Sequence, residues 1–300
     1  MMASTVALAL GAGSCAAVKR AGMSVLFERT GWPEERVMRD VAYGTDARQR
    51  LDFYVPEGKG WPVAVFVHGG SWNGGDKGLE VGGADVYGNI GRWLASQGIG
   101  VAVINYRLQP GTGWRGQVDD VAAAAGWVRR NAGARGGRGD RLILFGHSAG
   151  TQLAAFAVLN GEALRRAGVE REAVRGVIAV SGAGLDLVDP VTYALGHSPK
   201  YYAGVFNPEA APGDWRREAS AVTYADGGDP PFLVMYGGSE EKGMIRQSVR
   251  VDEVLRQRGV ESRLVEAPGQ SHGRIVLTLS RGDKVAGREA VAFIRRLTGE

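Results

Sequence analysis

Ser148 has the neighbours that a nucleophilic serine needs. Gly146 and Gly150 flank it in the pattern G-x-S-x-G, between the apolar run 141–145 and a helix-forming run that begins at Thr151. A serine on a tight turn from a strand into a helix projects its hydroxyl, and glycines on both sides let strand and helix approach closely. Because 47 of the 300 residues are glycine, the pattern alone is weak, and the prediction of a nucleophile depends on partners elsewhere in the chain.

A serine hydroxyl becomes a good nucleophile when a neighbouring imidazole accepts its proton, so a base is needed late in the chain. The sequence contains 4 histidines. His68 belongs to a glycine loop, His147 lies inside the G-x-S-x-G pattern, and His197 falls in an irregular segment. His272 follows the last strand-like run and is therefore predicted as the general base.

The acid that orients the imidazole is expected just after the strand that ends at Tyr236. Glu240 and Glu241 both lie there, and Glu240 has the G-x-x-[DE] spacing from Gly237. We predict Glu240 as the acid and keep Glu241 as the alternative. A serine, a histidine and a carboxylate in this order predict hydrolysis through an acyl-enzyme, which needs no metal and no organic cofactor.

A second glycine motif lies upstream of the predicted nucleophile. The apolar run 62–67 ends in His68-Gly69-Gly70-Ser71-Trp72. Small residues after a strand let backbone N–H groups turn toward the space in front of the serine. We predict an oxyanion hole formed by the N–H of Gly69 or Gly70 together with the N–H of Ala149.

These groups must be positioned by an alternating α/β chain. Short apolar runs alternate with amphipathic helical runs, which predicts a mostly parallel central sheet with helices on both faces. The segments 41–43 and 50–55 predict a leading antiparallel pair. The further predicted strands are 62–67, 99–105, 141–145, 177–180, 231–236 and 262–266, and helices are predicted at 118–130 and 285–297.

The alternation stops over 185–228, which predicts a small cap insertion. Aromatic residues in this segment and in the glycine loop can line a substrate pocket, or they can pack the cap onto the sheet, and both alternatives stay open. The candidates for the pocket are Trp72, Tyr201, Tyr202 and Phe206.

Composition predicts one catalytic domain over 31–300, preceded by a separate segment, 1–30. Cys15 is the only cysteine, so no internal disulfide is possible. The apolar run 6–14 before it resembles the end of a bacterial secretion signal with a lipid-attachment cysteine. We therefore expect 1–30 to be a signal or lipoprotein segment or an N-terminal helix, with an exported or lipid-anchored protein and a cytoplasmic protein as alternatives.

The net charge of +4 comes from scattered arginines. The densest cluster of arginines lies between 129 and 141, where it is interleaved with glycines. This pattern is typical of a solvated loop and predicts no nucleic-acid partner.

Five short motifs are spread along the chain from about Asp40 onward: His68-Gly69-Gly70-Ser71-Trp72, Gly75-Asp76-Lys77, Asn105-Tyr106-Arg107-Leu108, Gly146-His147-Ser148-Ala149-Gly150 and Pro230-Pro231-Phe232. With these motifs the chain resembles α/β-hydrolase-fold carboxylesterases, in the branch related to hormone-sensitive lipase, feruloyl-esterase-like domains and isoprenylcysteine methylesterases. The resemblance implies the α/β-hydrolase fold and hydrolysis of small acyl esters, with a small-molecule ester as the partner.

Glu240 followed by Arg246-Gln247-Ser248 also resembles kynurenine formamidases, in which a glutamate can stand at this place. Those enzymes usually carry an aromatic residue where this chain has Ser71. An arylformamidase is therefore the alternative function, and a catalytically silent binding protein on the same fold is the second alternative.

Overall fold

The computed structural model describes residues 27–195 and 198–299. The predictions for Cys15 and for His197 lie outside the described residues. The strands are β1 (Val37–Ala42), β2 (Arg50–Tyr54), β3 (Val63–Val67), β4 (Glu80–Val81), β5 (Ala84–Asp85), β6 (Gly100–Ile104), β7 (Leu142–His147), β8 (Val174–Val180), β9 (Phe232–Gly237) and β10 (Ser262–Ala267). Within the described ranges the chain forms a central sheet of 8 strands in the order β1-β2-β6-β3-β7-β8-β9-β10, and a separate two-stranded hairpin, β4-β5.

The sheet is mostly parallel, as predicted. β1 pairs with β2 and β2 pairs with β6 in antiparallel fashion, whereas every further neighbour pair from β6 to β10 is parallel. The helices are α1 (Val86–Ser96), α2 (Trp114–Asn131), α3 (Ala149–Asn160), α4 (Glu162–Arg166), α5 (Pro190–Leu195), α6 (Pro199–Phe206), α7 (Trp215–Ala219), α8 (Lys242–Gln257), α9 (His272–Leu277) and α10 (Val285–Thr298).

Strand β3 illustrates why the sheet is covered on both faces. All of its residues are buried. Val63, Val65 and Val67 point into a core shared with α2, α3 and α8, while Ala64 and Phe66 point into a second core shared with α1, α9 and α10. Alternate side chains of a strand face opposite sides of a sheet. A strand that is apolar throughout therefore needs helices on both sides, which confirms the predicted architecture.

Several element boundaries differ from the sequence prediction. Strand β1 is Val37–Ala42 rather than 41–43, and β8 begins at Val174 rather than at residue 177. Helix α2 begins at Trp114 rather than at residue 118, because the Trp114 ring packs edge-on against Phe156 and Phe206 and anchors the first turn. Strand β7 continues past Phe145 to His147, because its pairing with β8 extends to Val180.

The segment 185–228 forms the short helices α5, α6 and α7 and a 3-10 turn at Ala221–Tyr224. Among its described residues it contributes no strand to the sheet. Helix α6 lies against the loop after β3, where the Tyr201 hydroxyl donates to the carbonyl oxygen of Ser71 at 3.0 Å. The cap thus covers the carboxyl edge of the sheet.

Residues 27–30 contact helix α1. The Thr30 N–H donates to the Asn89 side-chain oxygen at 2.7 Å, and the Asn89 amide donates to the carbonyl oxygen of Glu28 at 2.8 Å. The boundary between 1–30 and 31–300 stays a prediction. In the part of the chain that the structure describes, no helix combines the length and the apolar character that crossing a bilayer requires.

Candidate active site

Ser148 stands on a strained turn between β7 and α3, with φ of 55° and ψ of −125°. A Cβ atom added to Gly146 would lie 2.4 Å from the Thr151 Cα, and one added to Gly150 would lie 2.2 Å from the Val67 carbonyl oxygen. Both distances are far below van der Waals contact, so only glycine fits at either position. The turn is fixed further because the Ser148 N–H donates to the Val180 carbonyl oxygen at 3.0 Å.

His272 is the first residue of α9, in the connection that follows β10. Its Nε2 atom lies 3.0 Å from the Ser148 Oγ atom. For Nε2 to accept the hydroxyl proton, the single proton of the neutral ring must be on Nδ1. The structure therefore brings together the serine and the histidine that the sequence predicted as nucleophile and base.

Glu240 lies in the turn after β9 and is buried, with 9% of its surface exposed. Its Oε1 atom accepts hydrogen bonds from the Ser181 hydroxyl and, at 3.0 Å, from the Gly237 N–H. Its Oε2 atom is buried, and none of the described residues forms a hydrogen bond with it. Glu241, the alternative acid, is exposed. It precedes the first residue of α8, and its carbonyl oxygen accepts the Met244 N–H.

Backbone hydrogen bonds join the loop of Glu240 to the loop of His272. The Gly238 N–H donates to the Ala267 carbonyl oxygen, and the Ser239 N–H donates to the Gln270 carbonyl oxygen, both at 2.9 Å. His272 follows Gln270 by two residues. The buried carboxylate and the imidazole are thus carried by two loops that are fastened to each other.

The loop after β3 lies directly against the nucleophile. A Cβ atom on Gly69 would approach the Ser148 Cβ atom to 2.9 Å. The Gly69 N–H points to the Tyr87 hydroxyl at 3.4 Å, whereas no acceptor for the Gly70 N–H is found among the described residues. The N–H of Ala149, in the first turn of α3, has no acceptor within its helix. Of the predicted oxyanion donors, Gly70 has an N–H with no acceptor among the described residues, and Ala149 has one with no acceptor within its helix.

Side chains hold this loop from two directions. The Tyr106 hydroxyl donates to the His68 carbonyl oxygen at 3.0 Å, and the Gln117 amide donates to the Trp72 carbonyl oxygen at 2.6 Å. The backbone of Ser71 and Trp72 has positive φ values of 56° and 63°. Non-glycine residues adopt this conformation only where surrounding contacts enforce it.

Two of the histidines at this edge are neutral at ordinary pH. Burial lowers the pKa of His68 to about 4 and the pKa of His147 to about 3. Neither ring therefore carries a positive charge that would repel a protonated His272.

Of the four aromatic residues predicted for a substrate pocket, three are packed inside the protein. Trp72 and Tyr202 are 0% exposed and Phe206 is 3% exposed. The Trp72 and Phe206 rings meet with centroids 5.0 Å apart. Phe206 also meets Trp114, so these side chains pack the cap onto the loop after β3 and onto α2. A ligand can reach them only if this packing opens. Tyr201 is partly exposed and contacts the loop after β3.

Sequence reasoning missed Ser181 and Tyr87, and it gave His147 no role. Ser181 follows β8 with φ of 50°, and its hydroxyl reaches a carboxylate 59 residues later in the chain. A polar residue directly after an apolar strand run was the available signal for Ser181. Tyr87 is an aromatic residue within an amphipathic helix, a pattern that indicates only core packing.

Comparisons with known proteins agree with this geometry. A family model described as BD-FAE matches residues 51–255. The chain is 28% identical over 261 residues to a probable isoprenylcysteine alpha-carbonyl methylesterase from Oryza sativa, covering 81% of this chain and 59% of that protein. It is 29% identical over 251 residues to the esterase LipC of Mycobacterium tuberculosis, covering 78% and 59%. The chain thus spans about three fifths of the length of these curated relatives.

Solved structures resemble the whole fold. A truncated carbohydrate esterase from gut microbiota superposes with a TM-score of 0.74 at 20% identity, covering 90% of this chain and 100% of the other. Esterase B from Lactobacillus rhamnosis superposes with a TM-score of 0.73 at 23% identity, covering 95% and 93%. At these identities the likeness establishes the fold. The family model covers more than half of the chain, and we conclude that the chain belongs to the BD-FAE family, with the fold of the α/β-hydrolase carboxylesterases.

Proposed function

We propose that the protein is a carboxylic-ester hydrolase that acts on small acyl esters through Ser148, His272 and Glu240. One observation carries the proposal. The Ser148 Oγ atom lies 3.0 Å from the His272 Nε2 atom. Ser148 stands on a strained turn next to the loop after β3, in which the Gly70 N–H has no acceptor among the described residues. This is the arrangement that nucleophilic attack on a carbonyl carbon requires.

In the proposed mechanism the Ser148 oxygen attacks the ester carbonyl carbon while His272 takes the hydroxyl proton. The N–H groups of Gly70 and Ala149 stabilise the oxyanion, and each such donor contributes about a 100- to 1,000-fold rate increase. His272 then gives its proton to the departing alcohol. Water attacks the acyl-enzyme with His272 again as base, which releases the carboxylic acid and restores Ser148.

Glu240 has the role of the acid in this proposal. Two donors occupy its Oε1 atom, which leaves the buried Oε2 atom for the His272 ring. An ionised carboxylate there fixes the proton on Nδ1 and stabilises the imidazolium formed during attack. The exposure of Glu241 argues against the alternative, because a solvated carboxylate stabilises a charged neighbour less.

The preference for small acyl groups is supported by the packing of the cap. The rings of Trp72, Tyr202 and Phe206 are buried, and Phe206 packs against Trp72. An acyl chain that entered this packed region would have to displace the rings, which favours short acyl groups. The names of the relatives include methylesterases, so a methyl ester is a useful further test substrate.

The first test is hydrolysis of p-nitrophenyl acetate, butyrate and octanoate by the wild type and by Ser148→Ala, with circular dichroism to check folding. We expect activity on the shorter esters and a loss of about 10⁴-fold or more in Ser148→Ala. A well-folded wild type that hydrolyses none of the esters would contradict the proposal.

Arylformamidase is the second candidate, because Glu240 is followed by Gln247 and Ser248 as in the formamidases that the sequence resembles. The same nucleophile would attack a formyl carbon. Parallel rates on p-nitrophenyl butyrate and N-formylkynurenine separate the two functions, and a strong preference for the formamide would replace the esterase proposal. Activity on neither substrate from a folded protein would favour the silent binding protein.

Two predictions about partners are tested separately. Lipid attachment at Cys15 would appear as an acylated N-terminus in the intact mass of protein expressed in a Gram-negative host, and an unmodified Met1 would contradict it. Elution from heparin below physiological salt is the expected result for a protein with no nucleic-acid partner, and retention would contradict that prediction.

A further inference from the structure

A chain of three hydrogen bonds runs behind the nucleophile. The Gly69 N–H faces the Tyr87 oxygen at 3.4 Å, the Tyr87 hydroxyl faces the His147 Nδ1 atom at 3.4 Å, and the His147 Nε2 atom faces the His272 carbonyl oxygen at 3.2 Å. We propose that Tyr87 and His147 are positioning residues. They join the loop after β3 (the oxyanion loop), the turn that carries Ser148 and the base His272 into one hydrogen-bonded unit. This inference rests on the esterase function proposed above.

One arrangement of protons satisfies the whole chain. A carbonyl oxygen only accepts, so His147 must carry its proton on Nε2 to bond to His272. The bare Nδ1 atom then accepts the Tyr87 hydroxyl proton, and the Tyr87 oxygen accepts the Gly69 N–H. With this arrangement every donor in the chain has one acceptor. We therefore expect His147 to be neutral, with its proton on Nε2.

The surroundings hold both side chains in this protonation state. Tyr87 is 3% exposed and His147 is 6% exposed. Burial raises the pKa of Tyr87 to about 12, so its hydroxyl remains a donor. Burial, together with the neighbouring rings of His272 and His68, lowers the pKa of His147 to about 3. Among the described residues, the titratable groups found to face His147 are Tyr87, His68 and His272, and none of them brings a negative charge.

The unit crosses four elements that are distant in the sequence. Gly69 follows β3, Tyr87 is in the first turn of α1, His147 ends β7, and His272 begins α9. The chain of hydrogen bonds begins at the Gly69 N–H and ends at the His272 carbonyl oxygen, and Ser148 directly follows His147 in the sequence. Disturbing the unit should therefore move the catalytic groups relative to one another without removing any of them. Such a change lowers kcat more than it raises KM.

The alternative is that Tyr87 and His147 only fill space in the core. Tyr87→Phe keeps the ring that packs against Phe66 with centroids 5.1 Å apart, and removes only the hydroxyl. Tyr54→Phe is the matched control, because Tyr54 is also buried, and its hydroxyl accepts from Arg39 at 2.8 Å, away from the active site. A role in packing alone would leave both variants equally active.

The kinetic test compares Tyr87→Phe, Tyr54→Phe, His147→Leu and His147→Gln on p-nitrophenyl butyrate, with melting temperatures to confirm folding. We expect kcat to fall about fivefold in Tyr87→Phe and to stay within about twofold of wild type in Tyr54→Phe. Glutamine places an N–H near the Nε2 position, so His147→Gln should retain more activity than His147→Leu. The double variant Tyr87→Phe/His147→Leu should lose less than the product of the two single losses, because both remove the same bond.

Equal kcat values for Tyr87→Phe and Tyr54→Phe, or losses that multiply fully in the double variant, would overturn the inference. ¹⁵N NMR of labelled histidines gives a second readout that does not depend on turnover. The His147 resonance, assigned by its absence in His147→Gln, should show an Nε2 proton unchanged between pH 8 and pH 5, and an Nδ1 proton would overturn the chain. A wild type that is inactive on every ester would contradict the proposed function and not the hydrogen-bonded unit. In that case the NMR measurement of the His147 proton still tests the hydrogen bonds.

Discussion

The loops that carry the proposed catalytic groups and the cap that covers them differ in the main force that holds each of them, although hydrogen bonds such as that from Tyr201 to Ser71 also fasten the cap. In the loops, directional bonds to backbone carbonyls dominate, such as those from Tyr106 to His68 and from Gln117 to Trp72. In the cap, the rings of Tyr202 and Phe206 are buried, and Phe206 packs against Trp72 and Trp114. Hydrogen bonds fix atoms in direction, whereas apolar burial is non-directional. Changes in the loops should therefore alter the rate of the chemistry, and changes in the cap should alter which substrates fit.

After the nucleophile itself, the largest effect is expected from the acid in the loop after β9. Glu240→Gln should lower kcat about 10³-fold or more, because the neutral amide neither fixes the Nδ1 proton of His272 nor stabilises the imidazolium. The matched control is Glu241→Gln, one residue away and exposed, which should stay close to wild type. Steady-state rates on p-nitrophenyl butyrate measure both variants. The reverse result would move the acid to Glu241.

A smaller effect on rate is expected from the buried hydrogen bond between Tyr106 and the loop after β3. Tyr106→Phe removes the hydroxyl that holds the His68 carbonyl and keeps the ring stacked on His68, with centroids 4.3 Å apart. Loss of one neutral hydrogen bond is worth about 1 kcal/mol, or about a fivefold drop in kcat. The ratio of acetate to octanoate hydrolysis should not change. A changed ratio would show that this loop also controls acyl length, against the comparison drawn above.

Much of this arrangement could be predicted from the sequence, because it depends on local patterns. Continuous apolar runs such as 62–67 indicate strands buried on both faces, and the glycines around Ser148 indicate the tight turn. The structure gives the steric reason for those glycines at Gly146 and Gly150. Ser148, His272 and Glu240 remain predictions of function, although the first two lie within hydrogen-bond distance.

The rest could not be predicted, because it depends on contacts between distant parts of the chain. The bond from Ser181 to Glu240 spans 59 residues, and the contact between Tyr87 and His147 spans 60. The aromatic residues of the cap posed a different difficulty. A tryptophan or tyrosine has the same sequence signature in a pocket wall as in a core, so only the structure reveals that Trp72 and Tyr202 are covered by protein.

In the cap, the expected change is one of selectivity. Phe206→Leu removes part of a ring that meets Trp72 and Trp114 with centroids 5.0 Å and 5.7 Å away. The vacated volume should admit longer acyl chains and raise the octanoate-to-acetate rate ratio about threefold or more. The loss of unfolding free energy should be smaller than the about 3–5 kcal/mol that truncation of a buried phenylalanine to alanine costs. The variant keeps every hydrogen bond of the catalytic loops. An unchanged ratio would mean that acyl chains bind elsewhere.

The smallest effect is expected from the ion pair between the cap and α2. The Arg115 Nη2 atom lies 2.6 Å from the Glu218 Oε2 atom, but the two side chains are 61% and 53% exposed. Water and salt screen such a pair, so Glu218→Gln should cost about 0–1 kcal/mol of unfolding free energy and leave the acyl-length profile unchanged. Denaturant unfolding at low and high salt measures the cost. A larger loss of unfolding free energy that depends on salt would show that charge rather than apolar burial holds the cap. Phe206→Leu would then no longer test how the cap is held.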